Sequence, residues 1–117
     1  MHEMSIAMHI IEIASRAIPP GMAGARVEAI NLRVGRLSSV VPETLRYCFD
    51  AAVAGTPMHG AVLNCDLIPI AVACRACDAR SEQVAFPFSC PDCECTDVDL
   101  VSGRELLVVS VEFTERA

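Results

Sequence analysis

Four cysteines in the second half of the chain have the spacing of a metal site. They form two Cys-x-x-Cys pairs separated by twelve residues: Cys74 with Cys77, and Cys90 with Cys93. Each pair can form a tight turn that directs two thiolates to one point, and four thiolates fill the tetrahedral shell that Zn²⁺ prefers. A spacer of this length is shorter than the usual ribbon spacing of about 15–20 residues, but it can still hold a short hairpin. Because four protein ligands leave no open position, the pattern predicts a structural zinc site and disfavours Lewis-acid catalysis.

Other uses of these thiols are weighed against zinc. The same cysteines could instead form two disulfides or unrelated dithiols, or one pair could serve a dithiol redox enzyme, but the duplicated spacing favours one closed metal site. Cys95 is an alternative fourth ligand; Cys93 is favoured because only Cys90 and Cys93 repeat the spacing of the first pair. Cys48 and Cys65 fall on apolar faces of predicted elements, where a cysteine is usually a small buried hydrophobe.

The first three residues offer a second, different metal chemistry. Met1 carries an α-amine and His2 an imidazole, and the backbone amides of His2 and Glu3 lie beside them. Amine, deprotonated amides and imidazole can close chelate rings in one plane, an arrangement that suits Ni²⁺ or Cu²⁺ and not Zn²⁺. Protons must leave for the metal to bind, so affinity should fall on acidification. From spacing alone, a histidine at position two is more often an exposed residue without a metal.

Composition limits the remaining classes of function. The 117 residues predict one main domain, and fifteen acidic residues against nine arginines and no lysine give a net charge of −6. That balance repels phosphate backbones, which argues against a zinc-ribbon adaptor for nucleic acid. No apolar run reaches the roughly 18 residues that span a bilayer, and no positively charged signal region is present, so the cytosol is expected. No catalytic constellation or phosphate loop is evident, so the chain is not expected to be an enzyme.

The predicted order of elements is helix, strand, helix, strand, cysteine-rich insert, strand. Helices are predicted from about residue 5 to 17 and from 42 to the glycine at 55, and strands at 26–34, 61–68 and 104–113. The predicted buried faces comprise Ile6, Ile10, Ile13, Ala14 and Ala17 in the first helix; Ile30, Leu32 and Val34 in the first strand; Leu45, Phe49, Ala52 and Val53 in the second helix; and Ala61, Leu63, Cys65 and Leu67 in the second strand. This order predicts an α+β fold: a three-stranded sheet covered by two helices, with an inserted zinc-ribbon-like domain.

Several motifs, taken together, resemble the HypA family of hydrogenase maturation nickel metallochaperones, which includes HybF-type paralogues. The resemblance covers essentially the whole chain. It rests on Met1-His2-Glu3-Met4-Ser5, Gly35-Arg-Leu-Ser-Ser-Val-Val-Pro42-Glu43, Phe49, Gly55-Thr56 with Gly60-Ala61, the four cysteines, and Ser102-Gly103-Arg-Glu-Leu106. The order and spacing of these pieces make the resemblance specific, whereas no single piece does.

The resemblance implies a function and a set of ligands. It implies that Ni²⁺ binds at the N-terminus, with His2 as the essential side chain, the Met1 amine and nearby amides completing the square plane, and Glu3 in the same motif. It implies that Cys74, Cys77, Cys90 and Cys93 hold a structural Zn²⁺. The nickel-binding α+β domain would comprise residues 1–69 plus 103–117, and the zinc-binding domain residues 70–102.

The resemblance also implies partners. Nickel would be delivered to the precursor of the [NiFe]-hydrogenase large subunit, in cooperation with the GTPase HypB, and in some organisms to urease. Neither nucleic acid nor a membrane is expected as a partner. The oligomeric state is open, with a homodimer among the alternatives.

Overall fold

The computed structural model describes residues 2–22 and 24–115. Two α-helices and six β-strands follow one another in the order α1, β1, α2, β2, β3, β4, β5, β6, which confirms the α+β fold class. The helices are α1 (Glu3–Ala17) and α2 (Pro42–Val53). The strands are β1 (Arg26–Gly35), β2 (Val62–Ile68), β3 (Ile70–Cys74), β4 (Arg80–Gln83), β5 (Val98–Ser102) and β6 (Leu106–Thr114).

The two helices lie where the apolar periodicity predicts them, and they pack against each other. Helix α2 starts with a proline at its first position, where the missing N–H is not needed, and it buries Leu45, Phe49 and Val53 as predicted. Ala52 is only half-buried. Burying an aromatic ring of this size contributes about 2–3 kcal/mol, so Phe49 is a main anchor of this helix.

The buried stripe of α1 differs from the prediction. Its members are Glu3, Ala7, Ile10 and Ala14, spaced i, i+4, i+7 and i+11. Ile10 and Ala14 were predicted; Ile6 is only half-buried, Ile13 is 38% exposed, and Ala17 is exposed. Apolar residues occupy most of this helix, so the sequence allows two neighbouring stripes, and the observed one uses two alanines.

Two three-stranded sheets are present, with the strand orders β2-β1-β6 and β4-β3-β5. In the first sheet, β1 alternates as predicted, with Ile30, Leu32 and Val34 buried. Strand β2 buries Leu63 as predicted, but Leu67 is 45% exposed and its neighbour Ile68 is buried instead. The prediction was wrong at Leu67 because the strict alternation does not persist through the last residues of this strand.

The second sheet is larger than the short hairpin expected around the cysteines. Strand β3 lies in its centre and pairs antiparallel with β4 and with β5, with an irregularity in the β3–β5 register at Ala71 and Val72. The buried side of β3 is formed by Ile70, Val72 and Cys74. This alternation carries the first cysteine of the quartet into the interior of the sheet.

The chain divides into two compact units. One comprises residues 1–33, 40–66 and 107–117, and the other comprises residues 34–39 and 67–106. The second unit contains all four cysteines of the duplicated pairs and the whole sheet β4-β3-β5. Among the described residues, no helix is long and apolar enough to cross a membrane.

Candidate metal centres

The four predicted zinc ligands converge on one point. Cys74 is the last residue of β3 and Cys77 follows in the next turn, while Cys90 and Cys93 lie between β4 and β5. Their Sγ atoms all lie within 4.8 Å of one another. No other group of three or more potential metal-ligating His, Cys, Asp or Glu side chains occurs within residues 2–22 and 24–115. The donor set is four sulfurs, which fits Zn²⁺ and the tetrahedral shell it prefers.

The first pair sits in a tight hydrogen-bonded turn. The N–H of Cys74 donates to the carbonyl of Ala79, and the N–H of Asp78 donates to the carbonyl of Cys74, both at 2.9 Å. Asp78 has a φ of 62°, in the left-handed region, which turns the chain back on itself. The N–H of Ala76 points at the Cys74 Sγ at 3.3 Å, and the N–H of Ala79 donates to the Cys77 sulfur. Such donors stabilise thiolates.

The second pair repeats this turn. The N–H of Cys90 donates to the carbonyl of Cys95, and the N–H of Glu94 donates to the carbonyl of Cys90, both at 2.8 Å. Glu94 has a φ of 63°, and the N–H of Cys95 donates to the Cys93 sulfur. Cys95 therefore has the same backbone role as Ala79. The Cys95 side chain lies outside the cluster of four sulfurs, and its Sγ accepts the N–H of Asp97 instead.

The electrostatics of the four sulfurs favour a cation. Backbone N–H groups of Cys77 and Ala76 lower the pKa of Cys74 to about 7. Cys77 accepts the N–H of Ala79, but its hydrogen bond with Cys90 and burial outweigh this and raise its pKa to about 12. One thiolate thus forms readily, whereas hydrogen bonds to other cysteines and burial raise the pKa of Cys77 and of Cys93. A divalent cation favours the thiolate form of its cysteine ligands.

Arg75 lies between Cys74 and Cys77 and connects their turn to strand β5. Its Nε lies 3.0 Å from Oδ1 of Asp99 in β5, and its guanidinium is 3.7 Å from Asp97. The backbone N–H of Arg75 also donates to the carbonyl of Asp97 at 3.1 Å. The guanidinium holds the pKa of the Asp99 carboxyl below its ordinary value. Arg75 thereby ties the first turn to β5, although such an exposed pair contributes little stability.

The proposed nickel residues lie at the start of α1. His2 is the exposed residue that precedes the helix, and its carbonyl accepts the first helical N–H, from Ile6, at 3.1 Å. Glu3 is only 6% exposed, and its Oε2 accepts the N–H of Val41 at 3.3 Å. That hydrogen bond lowers the pKa of the Glu3 carboxyl, against the opposing effect of burial. Met1, whose amine is the third predicted ligand, lies outside the described residues.

The remaining cysteines stay apart from the quartet. Cys48 in α2 and Cys65 in β2 are half-buried, and burial raises the pKa of the Cys65 thiol. The raised pKa makes the Cys65 thiol a poor nucleophile and a poor metal ligand.

Comparison with known proteins gives the family. The family profile described as "Hydrogenase/urease nickel incorporation, metallochaperone, hypA" matches residues 1–113. The chain belongs to the HypA family. Members of this family are metallochaperones and not catalytic enzymes, and they bind nickel as well as a structural zinc ion, which the cysteine cluster suits.

Individual HypA proteins match along almost their whole length. The chain is 44% identical over 115 residues to the hydrogenase maturation factor HypA of Desulfatibacillum aliphaticivorans, covering 98% of this chain and 88% of that protein. Identity is also 44% to the HypA of Desulfosudis oleivorans, with 98% and 100% coverage. The solution structure of the Ni metallochaperone HypA from Helicobacter pylori has the same fold, with a TM-score of 0.64, 18% identity and coverage of 99% and 100%.

Proposed function

We propose that this protein binds Ni²⁺ at its N-terminal residues and delivers it for the maturation of [NiFe]-hydrogenase. The family description extends the same role to urease, which is a second candidate recipient. The proposed ligands are the Met1 amine, the amide nitrogens that follow it, and the His2 imidazole. Glu3 belongs to this site through its amide nitrogen. Four nitrogens in a plane suit Ni²⁺, and a site of this kind at a chain end can release its ion.

The observation that carries this proposal is the position of His2. It is exposed, and its carbonyl is the acceptor of the first helical hydrogen bond. The N–H groups of His2 and Glu3 therefore precede the hydrogen-bonded ladder of α1 and have no acceptor one turn back in the helix. Deprotonation of either amide by a metal would break no helical hydrogen bond, so nickel can bind and leave while α1 stays intact.

The second proposed ion is structural. Zn²⁺ would be held by Cys74, Cys77, Cys90 and Cys93, and its role would be to neutralise the thiolates and cross-link the two turns. The two turns themselves are held by backbone hydrogen bonds of this chain, and together they bring the four sulfurs around one point. Nickel would thus be handled by the unit that contains α1 and α2, and zinc by the unit that contains β3, β4 and β5.

Partners and location follow from the same proposal. We propose the GTPase HypB as the protein that works with this chaperone, the hydrogenase large-subunit precursor as the recipient, and the cytosol as the site of exchange. The net charge of −6 suits contact with basic protein surfaces or with cations.

The redox alternative has little structural support. Cys74 lies 3.6 Å from Cys93, and Cys77 lies 3.6 Å from Cys90, measured between Sγ atoms. Each cysteine thus faces a cysteine of the other pair, whereas a dithiol oxidoreductase presents one pair by itself to a substrate.

The two metal sites can be separated by elemental analysis. After equilibrium dialysis against nickel, the unmodified protein should carry about one zinc and one nickel per chain. His2→Ala should lose the nickel and keep the zinc, and it should fail to restore hydrogenase activity in a cell that lacks its own HypA. His59→Ala is the matched control, since this exposed histidine lies in a loop of the same unit. Nickel that stays bound to His2→Ala, or that displaces zinc from the thiolates, would contradict the proposal.

A further inference from the structure

Glu3 occupies an unusual place for a carboxylate in a nickel-binding motif. It is 6% exposed and begins the buried stripe of α1 that continues with Ala7, Ile10 and Ala14. A charged side chain rarely lies in such a stripe unless a partner compensates for the water it has lost. The neighbouring His2 is exposed. The two side chains of the motif therefore have different environments.

One partner of Glu3 is the N-terminus of α2. Val41 is the residue that caps this helix, and its N–H donates to Oε2 of Glu3 at 3.3 Å. Helix α2 has no side-chain cap from its own N-cap residue, and proline follows at its first position. A carboxylate supplied by α1 thus lies at the positive end of the α2 dipole, where negative charge is favoured. The same carboxylate also accepts the N–H of Glu3 itself.

We propose that the Glu3 carboxylate is a positioning residue, which fixes the His2–Glu3 segment to the N-terminus of α2 and does not itself bind nickel. This inference rests on the proposed nickel function. The carboxylate is buried and held by the N–H of Val41. The Glu3 amide nitrogen can still join the chelate by giving up its proton, which ends its hydrogen bond to this carboxylate.

Two consequences follow from this arrangement. Fixing the segment reduces the conformational freedom that nickel binding must remove, so the contact raises nickel affinity without adding a ligand. By linkage, nickel on the segment must in turn affect the Glu3–Val41 contact and the first turn of α2. Nickel binding at the N-terminal residues would then change the contacts at the N-terminal end of α2.

The test compares Glu3→Gln with Glu3→Ala. Glutamine keeps the length of the side chain and a carbonyl oxygen for the Val41 N–H, whereas alanine keeps neither. We expect Glu3→Gln to bind nickel within about threefold of the unmodified protein, and Glu3→Ala to bind roughly tenfold or more weakly. Glu12→Ala is the control, because Glu12 is an exposed carboxylate on the same helix. It should bind nickel with unchanged affinity.

Two spectroscopic measurements distinguish positioning from ligation. The visible absorption of bound Ni²⁺ should be the same in all these variants, since none loses a ligand. The amide signal of Val41 should shift on nickel binding in the unmodified protein, and its hydrogen exchange should accelerate in Glu3→Ala. An altered absorption band in Glu3→Gln would make the carboxylate a ligand and overturn the proposal, even if Glu3→Ala failed to fold.

Unchanged nickel affinity in a folded Glu3→Ala protein would overturn the positioning proposal as well. Failure of the proposed function has another signature, which is equal nickel binding by the unmodified protein and His2→Ala.

Discussion

At the scale of single residues, the proposed zinc centre consists of two copies of one turn. Asp78 and Glu94 take the same left-handed conformation, and Ala79 and Cys95 provide the same backbone groups. The quartet was predictable from its spacing. The role of Cys95 was not predicted, although Ala79 and Cys95 each come five residues after the first cysteine of a pair, which is a signal the sequence contains. The residue type of Cys95 suggests a competing ligand, whereas in the structure its backbone N–H donates to the Cys93 sulfur.

This equivalence predicts that the side chain of Cys95 is dispensable. Cys95→Ala should retain about one zinc per chain, because alanine already fills the matching position at Ala79. Cys93→Ser should lose zinc, since it removes one of four ligands. Zinc content after dialysis against a moderate chelator measures both. Zinc loss from Cys95→Ala together with retention in Cys93→Ser would show that the fourth ligand had been assigned incorrectly.

Glu3 illustrates what residue types cannot predict. A carboxylate beside a histidine at a chain end resembles a ligand, and residue types alone do not indicate that it faces a second helix. The missing information is tertiary, because the N–H that binds it belongs to Val41, 38 residues away. One local signal was available: Glu3 continues the i, i+4, i+7 spacing of the buried stripe of α1 toward the N-terminus.

At the scale of elements, the long periodic segments were predictable and the short polar ones were not. Helix α2 and strand β1 follow their apolar patterns closely because their burial is one-sided. Strand β4 has the sequence Arg-Ser-Glu-Gln, with no apolar residue, and is defined only by its pairing with β3. Its existence depends on contacts between distant segments, which periodicity does not report.

The second unit also depends on a close approach of two glycines. The N–H of Gly35 donates to the carbonyl of Glu105 at 2.6 Å, and a Cβ at Gly35 would overlap the carbonyl of Gly103. Gly103 itself has a φ of 120°, which few side chains tolerate. These glycines allow the segment that contains residues 34–39 to lie directly on the backbone next to β5.

We therefore expect Gly35→Ala to lower the free energy of unfolding by at least about 2 kcal/mol, since backbone must move to admit a methyl group. Gly21→Ala is the matched control: nothing lies within 4 Å of its Cβ position, and we expect a change of less than about 1 kcal/mol. Urea denaturation followed by circular dichroism measures both. Equal stabilities of the two variants would contradict the close approach.

At the scale of the whole molecule, each unit has one proposed ion, nickel in the first and zinc in the second. The fold class and the zinc ligands could be argued from residue spacing, but the nickel function could not. Spacing alone does not distinguish His2 from an exposed histidine without a metal. Its proposed role as a ligand rests on the resemblance of many separate motifs and on the family match over residues 1–113. A site made largely of backbone nitrogens leaves almost no trace in amino-acid types.

That dependence on backbone groups gives the most direct test of the central claim. Four residues added ahead of Met1 convert its amine to an amide and remove one proposed ligand. A single added residue would be a poor choice, because an imidazole at position three can form a new square plane with the new amine. We predict that calorimetry with Ni²⁺ shows one tight site in the unmodified protein and none in the extended one, with zinc content unchanged. Four residues added after Ala117 are the control, and identical titrations of the unmodified and N-terminally extended proteins would contradict the account.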